Sequence, residues 1–234
     1  MPAAIHTRDF DHIDDCARAL AGRLALVLDD AIARRGRATL ALSGGRTPAR
    51  VLPHLFVTER DWGRVTLTLT DDRWLPMSAD DSNQGMVRRL AQGTPAEAAP
   101  FVGLVSKGLP PEAGIIEANG RLDGVPWPLD AAYLGMGDDG HVASLFPHGD
   151  WQAAPGRLVA VPPPDTAAAD ARAHARVSLT PAALLDCRAL FLMLTGAEKA
   201  RTFERARQPG PTQALPLRLV LHQDTVPVEV FRAP

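Results

Sequence analysis

The chain has 234 residues, of which 46% are hydrophobic and 22% are charged, and a chain of this length and composition can bury a sizeable core. Its formal net charge is -2, which excludes the strongly basic surface that binding to nucleic acid or to an anionic membrane requires. Any binding of phosphate must therefore depend on a local arrangement of donors.

The first predicted elements are a helix, a strand and a second helix. Residues 11–35 place apolar side chains three and four positions apart with charges between them, which predicts an amphipathic helix. The short apolar run ATLALS (38–43) predicts a strand that ends at two glycines. Thr47 and Pro48 then provide an N-cap and a first-turn proline for a helix that continues through Leu55.

The same order of strand, loop and helix repeats along the chain. Further strands are predicted at 64–70, 101–106, 130–137, 175–180 and 188–196. Further helices are predicted at 84–91, 112–122 and 197–207. The polar loop 71–83 separates the first of these strands from its helix. Alternation of this kind predicts an α/β fold in a single domain over residues 1–234, with an open, mostly parallel sheet flanked by helices on both faces.

The cysteines and the N-terminal residues favour an intracellular protein. Cys16 and Cys187 are too few and too far apart in sequence for a disulfide framework or a CxxC metal site, so we interpret both as structural thiols in a reducing cytosol. Residues 1–15 are acidic and lack the segments of a secretory leader, and no apolar run approaches the ~18 residues of a membrane span. We expect a cytoplasmic protein without a membrane anchor.

Four polar loops fall beside the ends of predicted strands, where ligands bind in open parallel sheets. The first loop, SGGRTP, combines flexible backbone N–H groups, two hydroxyls and a helix N-terminus, and these come from Ser43, Gly44, Gly45 and Thr47. Such a loop can hold a phosphate without a basic surface. Two glycines also make an ordinary tight turn, so this loop alone is a weak indication.

The second and fourth loops supply charge. In TDDRWLP (70–76), Arg73 can form two hydrogen bonds to a phosphate while Asp71 orients it or faces a sugar, although a structural pair of Asp and Arg would be equally ordinary. Arg176, at a strand start, and Lys199, in the helix after LTG, can face the same opening, but each alone is more often a surface charge. Four loops in equivalent positions together favour one shared site.

The third loop, LGMGDDGHVASLFP (134–147), carries the candidate base. Its glycines permit a tight backbone path, and His141 is predicted at the start of the next helix, with Asp139 two residues before it. Acidic and histidine side chains cluster here, but their spacing matches no metal-binding pair on a helix face, so we expect no metal site. The chain has no G-x-S-x-G elbow, and Ser43 is followed by two glycines, so no nucleophile is obvious.

Five motifs, in this order, resemble those of the 6-phosphogluconolactonases of the pentose phosphate pathway. They are LSGGRTP, TDDRWLPMSADDSNQGMVRRL, LGMGDDGHVASLFP, RVSLT and LTGAEKA. The resemblance extends from about residue 11 to the C-terminus, and GDDGHVASLFP is its most specific part. It implies a fold related to glucosamine-6-phosphate deaminases and ribose-5-phosphate isomerases, an α/β sheet with its site at the strand ends.

The resemblance also implies an activity and roles for individual residues. The activity is hydrolysis of 6-phospho-D-glucono-1,5-lactone, a small-molecule sugar-phosphate lactone, to 6-phospho-D-gluconate, with no metal or organic cofactor. His141 matches the base that activates water, and Asp139 either orients it or stabilises the loop. Phosphate and substrate contacts are implied for Ser43, Gly44, Gly45, Thr47, Asp71, Arg73, Asn83, Arg176 and Lys199. Asp72 stands where the family commonly has glutamate, which shortens its reach and leaves a direct substrate contact open.

Two alternative functions remain at this point. A deaminase of the glucosamine-6-phosphate type has the motif D-G-H-I-A-F-N-E-P, whereas DGHVASLFP places Phe146 where that carboxylate would be. A non-catalytic sugar-phosphate-binding protein would keep the pocket without the chemistry, and the presence of His141 disfavours it. The lactonase needs only positioning, a base and stabilisation of charge, which these residues can supply. The sequence leaves the oligomeric state open.

Overall fold

Strands and α-helices alternate through the computed structural model, which describes residues 4–152, 154–163 and 174–234. Within this part of the chain the strands are β1 (Ile5–Asp9), β2 (Ala38–Leu42), β3 (Val65–Leu69), β4 (Asp71–Arg73), β5 (Ala131–Leu134), β6 (Leu158–Val161), β7 (Arg176–Leu179), β8 (Leu190–Thr195) and β9 (Val228–Ala233). The α-helices are α1 (Ile13–Arg35), α2 (Arg46–Phe56), α3 (Asn83–Ala91), α4 (Pro111–Asp123), α5 (Pro181–Leu185), α6 (Ala197–Arg207) and α7 (Arg218–Leu221).

Six of these strands form a parallel sheet in the order β1-β9-β8-β5-β2-β3. Strands β2 and β5 are buried at every residue, as expected where helices cover both faces of a sheet. Helix α1 buries the apolar residues that recur along it at helical spacing, and it ends where Gly36 adopts a left-handed conformation (φ 72°). The mostly parallel α/β sheet flanked by helices that the sequence predicts is confirmed.

A second, smaller sheet is antiparallel and has the order β4-β7-β6. Thr70 is the single residue between β3 of the large sheet and β4 of the small one. Its N–H donates to the carbonyl of Leu42 (2.9 Å), and its carbonyl accepts from the N–H of Leu179 (2.8 Å). Thr70 therefore joins the two sheets by hydrogen bonds as well as through the chain.

Several strands differ from the sequence-based predictions, and β1, β6 and β9 were not predicted at all. The strand predicted at 101–106 is absent apart from one bridge between Phe101 and Leu67, so this apolar run packs without a continuous partner. Part of the predicted polar loop 71–83 is β4, whose charged residues pair with β7. Arg176 does begin a strand, but that strand belongs to the small sheet.

Two predicted helix starts are also wrong. Helix α2 begins at Arg46 with Gly45 in the N-cap position, so Thr47 lies inside the helix and does not cap it. No helix follows His141: residues 142–147 form turns and isolated bridges, and Ala143 adopts φ 50°, which a right-handed helix cannot contain. Among the described residues, no helix combines the length and the hydropathy that crossing a membrane would need.

Candidate active site

A cavity of about 570 Å³ opens at the carboxyl ends of β2, β5 and β8. These strands are neighbours in one parallel sheet, so the loops that follow them emerge at the same edge. Ten of the eleven predicted site residues line this cavity. They are Ser43, Gly44, Gly45, Thr47, Asp71, Arg73, Asn83, His141, Arg176 and Lys199. The remaining residue, Asp139, lies behind His141 and contacts it.

The loop after β2 lies directly against the side chain of Asn83. A Cβ atom added to Gly44 would be 1.8 Å from Oδ1 of Asn83, so this contact requires a glycine. The amide nitrogen of Asn83 in turn donates to the carbonyl of Asp71 (2.9 Å). This chain of contacts connects the loop after β2 to the small sheet.

Asp72 is fully buried and holds the start of α3. Its carboxylate accepts hydrogen bonds from the backbone N–H groups of Arg73 (2.8 Å), Asn83 (2.7 Å) and Gln84 (3.1 Å). Burial raises the pKa of Asp72 to about 6, although the backbone hydrogen bonds act in the opposite direction. The side chain is not among those that line the cavity, so its contacts are structural.

Asp71 faces the cavity from the small sheet and is only 6% exposed. The hydroxyl of Ser144 donates to its Oδ2 atom (2.5 Å), and the hydroxyl of Thr70 lies 3.4 Å from Oδ1. Ser144 belongs to the loop that carries His141. The hydrogen bond to Asp71 therefore attaches that loop to β4.

Two arginines stand side by side at the cavity, because Arg73 on β4 pairs with Arg176 on β7. Arg73 donates to the carbonyl of Asp81 (2.7 Å), but within the described residues neither guanidinium has a carboxylate within 4.0 Å. The Nε atoms of both are buried and have no hydrogen-bond partner in that part of the chain. Burial and the neighbouring charge of Arg73 lower the pKa of Arg176.

Lys199 reaches the same cavity from the first turn of α6. Two helices, α2 and α6, begin at the cavity, each with a glycine in the N-cap position, which has no side chain to cap the helix. The backbone N–H groups of their first turns add partial positive charge to that of Arg73, Arg176 and Lys199. This edge of the cavity is therefore suited to an anionic group.

His141 is fixed by Asp139. The Nδ1 atom of the imidazole lies 2.6 Å from Oδ1 of Asp139, and the backbone N–H of His141 donates to the same oxygen (3.1 Å). Burial alone would raise the pKa of Asp139, but the hydrogen bonds and charge of His141 outweigh it and lower this pKa. An ionised Asp139 can only accept, so Nδ1 carries the proton and Nε2 of the neutral imidazole keeps its lone pair.

Gly137 makes room for the imidazole. A Cβ atom at this position would lie 2.1 Å from both Cε1 and Nδ1 of His141 and 2.6 Å from Oδ1 of Asp139. Any other residue would displace the ring from its partner. The backbone of the loop therefore approaches the side chain that faces the cavity.

Two residues of the same loop have contacts that the sequence-based analysis did not predict. Ser144 binds Asp71, as described above, and the ring of Phe146 lies 4.6 Å from the His141 ring. Both follow His141 within the motif GHVASLFP, but a loop without helical or strand periodicity gives no indication of where its side chains point. Among the residues described, no three His, Cys, Asp or Glu side chains are grouped so as to hold a metal ion.

Comparisons of this chain with known families, sequences and structures point to the same family. A family described as glucosamine-6-phosphate isomerases/6-phosphogluconolactonase matches residues 11–228. A 6-phosphogluconolactonase of Mesorhizobium japonicum is 40% identical, with 93% of this chain and 91% of that protein covered. The crystal structure of a 6-phosphogluconolactonase from Shewanella baltica is 34% identical, covers 100% of both chains and superposes with a TM-score of 0.92. A monomeric glucosamine-6-phosphate deaminase shares the fold, at 17% identity, with 96% of each chain covered and a TM-score of 0.79.

Proposed function

The chain belongs to the family of glucosamine-6-phosphate isomerases and 6-phosphogluconolactonases, and from this premise we propose that it hydrolyses 6-phospho-D-glucono-1,5-lactone to 6-phospho-D-gluconate in the pentose phosphate pathway. The observation that carries the proposal is the pair His141–Asp139, with Nδ1 held at 2.6 Å, in a cavity that also presents Arg73 and Arg176 without carboxylate partners in the part of the chain described. A base and an anion site in one cavity match a phosphorylated ester.

In the reaction, His141 acts as the general base. Its Nε2 atom takes a proton from a water molecule while the water oxygen forms a bond to C1 of the lactone. The tetrahedral intermediate then collapses, the bond between C1 and the ring oxygen breaks, and the imidazolium returns the proton to that oxygen as it becomes a hydroxyl. The net change is the addition of one water molecule, and general-base help of this kind contributes ~10²–10⁴-fold.

Asp139 is a positioning residue in this mechanism. It holds Nδ1–H, so that the lone pair of Nε2 faces the cavity, and it stabilises the imidazolium that forms in the transition state. Gly137 supports the same geometry because its lack of a side chain lets the ring sit against the backbone.

The phosphate is the part of the substrate that fixes its orientation. A sugar phosphate carries a charge of about -1.5 to -2 near neutral pH, and Arg73, Arg176 and Lys199 supply matching charge at fixed positions. We assign the sugar hydroxyls to the loop after β2, to Asp71 and to Asn83. These polar groups line the same cavity as the cations and His141, and they comprise Ser43, Gly44, Gly45, Thr47, Asp71 and Asn83.

The deaminase alternative has less support at this site. The apolar ring of Phe146 stands against His141, at the position where the deaminase motif has a carboxylate. Without that carboxylate, a proton relay for opening the sugar ring lacks one member.

A coupled assay tests the proposal. The lactone is generated in place by oxidation of glucose 6-phosphate, and formation of 6-phosphogluconate is compared with the spontaneous rate, since lactones of this type hydrolyse unaided. We expect acceleration proportional to the protein concentration, and a much smaller effect on unphosphorylated gluconolactone. Tight binding of 6-phosphogluconate without acceleration would instead indicate a binding protein, and release of ammonia from glucosamine 6-phosphate would indicate a deaminase.

A further inference from the structure

The ring of Phe146 is close to both the proposed base and one of the cations proposed to bind phosphate. Its centroid is 4.6 Å from the centroid of the His141 imidazole, with the two planes inclined at 46°. The guanidinium carbon of Arg176 lies 5.4 Å from the same centroid. One side chain therefore contacts groups that act on opposite ends of the substrate.

Phe146 is fixed through its backbone. Its carbonyl accepts hydrogen bonds from Nε1 of Trp151 (2.7 Å) and from the N–H of Gly149 (3.1 Å). Trp151 is buried, and a Cβ atom at Gly149 would be 2.8 Å from its indole ring. A tight turn packed on a buried indole thus determines where the Phe146 ring stands.

Arg176 and His141 both lie against this ring. The Nε atom of Arg176 has no hydrogen-bond partner among the described residues, and none of their carboxylates lies within 4.0 Å of its guanidinium. His141 is tethered at Nδ1, but the tether alone leaves the ring free to tilt about it, and Phe146 occupies one side. The negative face of an aromatic ring attracts a guanidinium and an imidazolium alike.

We propose that Phe146 is a positioning residue whose ring sets the separation between the His141 imidazole and the Arg176 guanidinium, and thereby matches the distance between the lactone carbon and the phosphate of the substrate. This inference rests on the proposed function. A displacement of about 1 Å between reacting groups can cost ~10²-fold in rate. A ring that separates the base His141 from the phosphate-binding Arg176 therefore has a measurable effect on the rate. Its loss affects both catalysis and the preference for a phosphorylated substrate.

The test compares Phe146→Leu, which removes the aromatic face, with Phe146→Tyr, which keeps it. Phe101→Leu is the matched control, because Phe101 also lies against an arginine (Arg88, 4.9 Å), but Arg88 does not line the cavity, whereas Arg176 and His141 do. The variants are measured with 6-phosphogluconolactone and with unphosphorylated gluconolactone, and binding of 6-phosphogluconate is measured by calorimetry. Thermal unfolding verifies that each variant is folded.

For Phe146→Leu we expect a fall in kcat of about 10-fold on both lactones, together with a fall of about 10-fold in the ratio of kcat/KM between phosphorylated and unphosphorylated substrate. Phe146→Tyr should stay within about 3-fold of the parent in both quantities. Equal behaviour of Tyr and Leu, an unchanged substrate ratio, or a similar loss in Phe101→Leu would each overturn the proposal.

Failure of the proposed function gives a different result. In that case the parent chain does not accelerate hydrolysis at all, whereas failure of the spacer role leaves the parent active and Phe146→Leu unchanged. The calorimetric measurement still tests the spacer in an inactive parent. A loss of affinity for 6-phosphogluconate in Phe146→Leu, absent in Phe146→Tyr, would support the role, and equal affinities would overturn it.

Discussion

One carboxylate oxygen of Asp139 fixes both the ring and the backbone of His141, at 2.6 Å from Nδ1 and 3.1 Å from the backbone nitrogen. The same oxygen therefore restrains both the imidazole and the chain segment that carries it. This arrangement orients a base without a helix, in a glycine-rich loop after β5.

Replacing the base should separate binding from catalysis. We expect His141→Asn to fold, to bind 6-phosphogluconate, and to lose ~10²-fold or more in kcat with little change in KM, because only the transition state requires the proton transfer. The measurement is the coupled assay corrected for the spontaneous rate. Hydrolysis at nearly the parent rate would contradict the mechanism and would direct the search for a base to Asp71 or Asp139.

Asp139 gives a prediction about catalysis. The hydrogen bonds and charge of His141 lower the pKa of Asp139 below its ordinary value, so Asp139 is ionised near neutral pH. In Asp139→Asn the imidazolium that forms in the transition state loses its anionic partner, so kcat should fall about 10-fold or more with little change in KM. The measurement is the coupled assay, and a kcat equal to that of the parent would show that Asp139 does not act through His141.

The lowered pKa of Asp139 also predicts how the stability of the protein depends on pH. A group whose pKa falls on folding stabilises the native state above its unfolded value and loses that contribution as the pH drops through the folded value. The parent should therefore lose free energy of unfolding relative to Asp139→Asn as the pH falls below about 5. Because Asp139 is half exposed to solvent, the difference is small.

Lys199 should affect substrate choice more than folding. In Lys199→Ala we expect kcat/KM to fall far more for the phosphorylated lactone than for gluconolactone, since within the described residues its ammonium has no carboxylate within 4.0 Å and is available to the phosphate. Lys107→Ala, at a position outside the cavity lining, is the matched control. Equal losses on both lactones would mean that Lys199 is structural or acts at the lactone end.

A substitution at Gly44 tests whether its close contact with Asn83 matters for activity. In Gly44→Ala the new Cβ would overlap Oδ1 of Asn83, at 1.8 Å, so the amide must leave the carbonyl of Asp71 and kcat/KM should fall about 10-fold or more. Gly22→Ala is the control: its Cβ meets nothing within 4 Å in α1, and it should stabilise the protein by up to ~1 kcal/mol. Unchanged activity in Gly44→Ala would mean that Asn83 can move without consequence.

The two cysteines should be unreactive in the folded protein. Both are buried, and burial raises the pKa of Cys16 to about 11 and that of Cys187 to about 12, so almost no thiolate exists near neutral pH. A thiol reagent at pH 8 should modify neither in buffer and both in denaturant. Rapid labelling in buffer would show that one of the elements covering them opens readily.

The sequence predicted the large sheet better than the small one. Strand β2 is a continuous apolar run, and such a run is typical of a strand buried on both faces. Strand β4 consists of two aspartates and an arginine, and it is a strand because β7 supplies a partner from about a hundred residues further along, which no local pattern records. The pairing of Arg73 with Arg176 follows from that same long-range contact.

The loop of His141 shows why motif and structure can diverge. The apolar spacing in VASLF resembles the first turn of a helix, but Ala143 takes φ 50° and Ser144 turns to Asp71. Backbone conformation at one residue is decided by tertiary contacts, whereas the chemical character of His141 and Asp139 is already present in the sequence. The site residues could therefore be named before the geometry that supports them.

Thr70 constrains the proposed site from a distance. His141 follows a strand of the large sheet, whereas Arg73 and Arg176 belong to the small sheet. Because Thr70 is hydrogen-bonded to both sheets, it limits how far one sheet can shift relative to the other, while the proposed role of Phe146 is local to the side chains. We therefore expect a phosphorylated lactone with one carbon fewer between its carbonyl and its phosphate to be a poorer substrate.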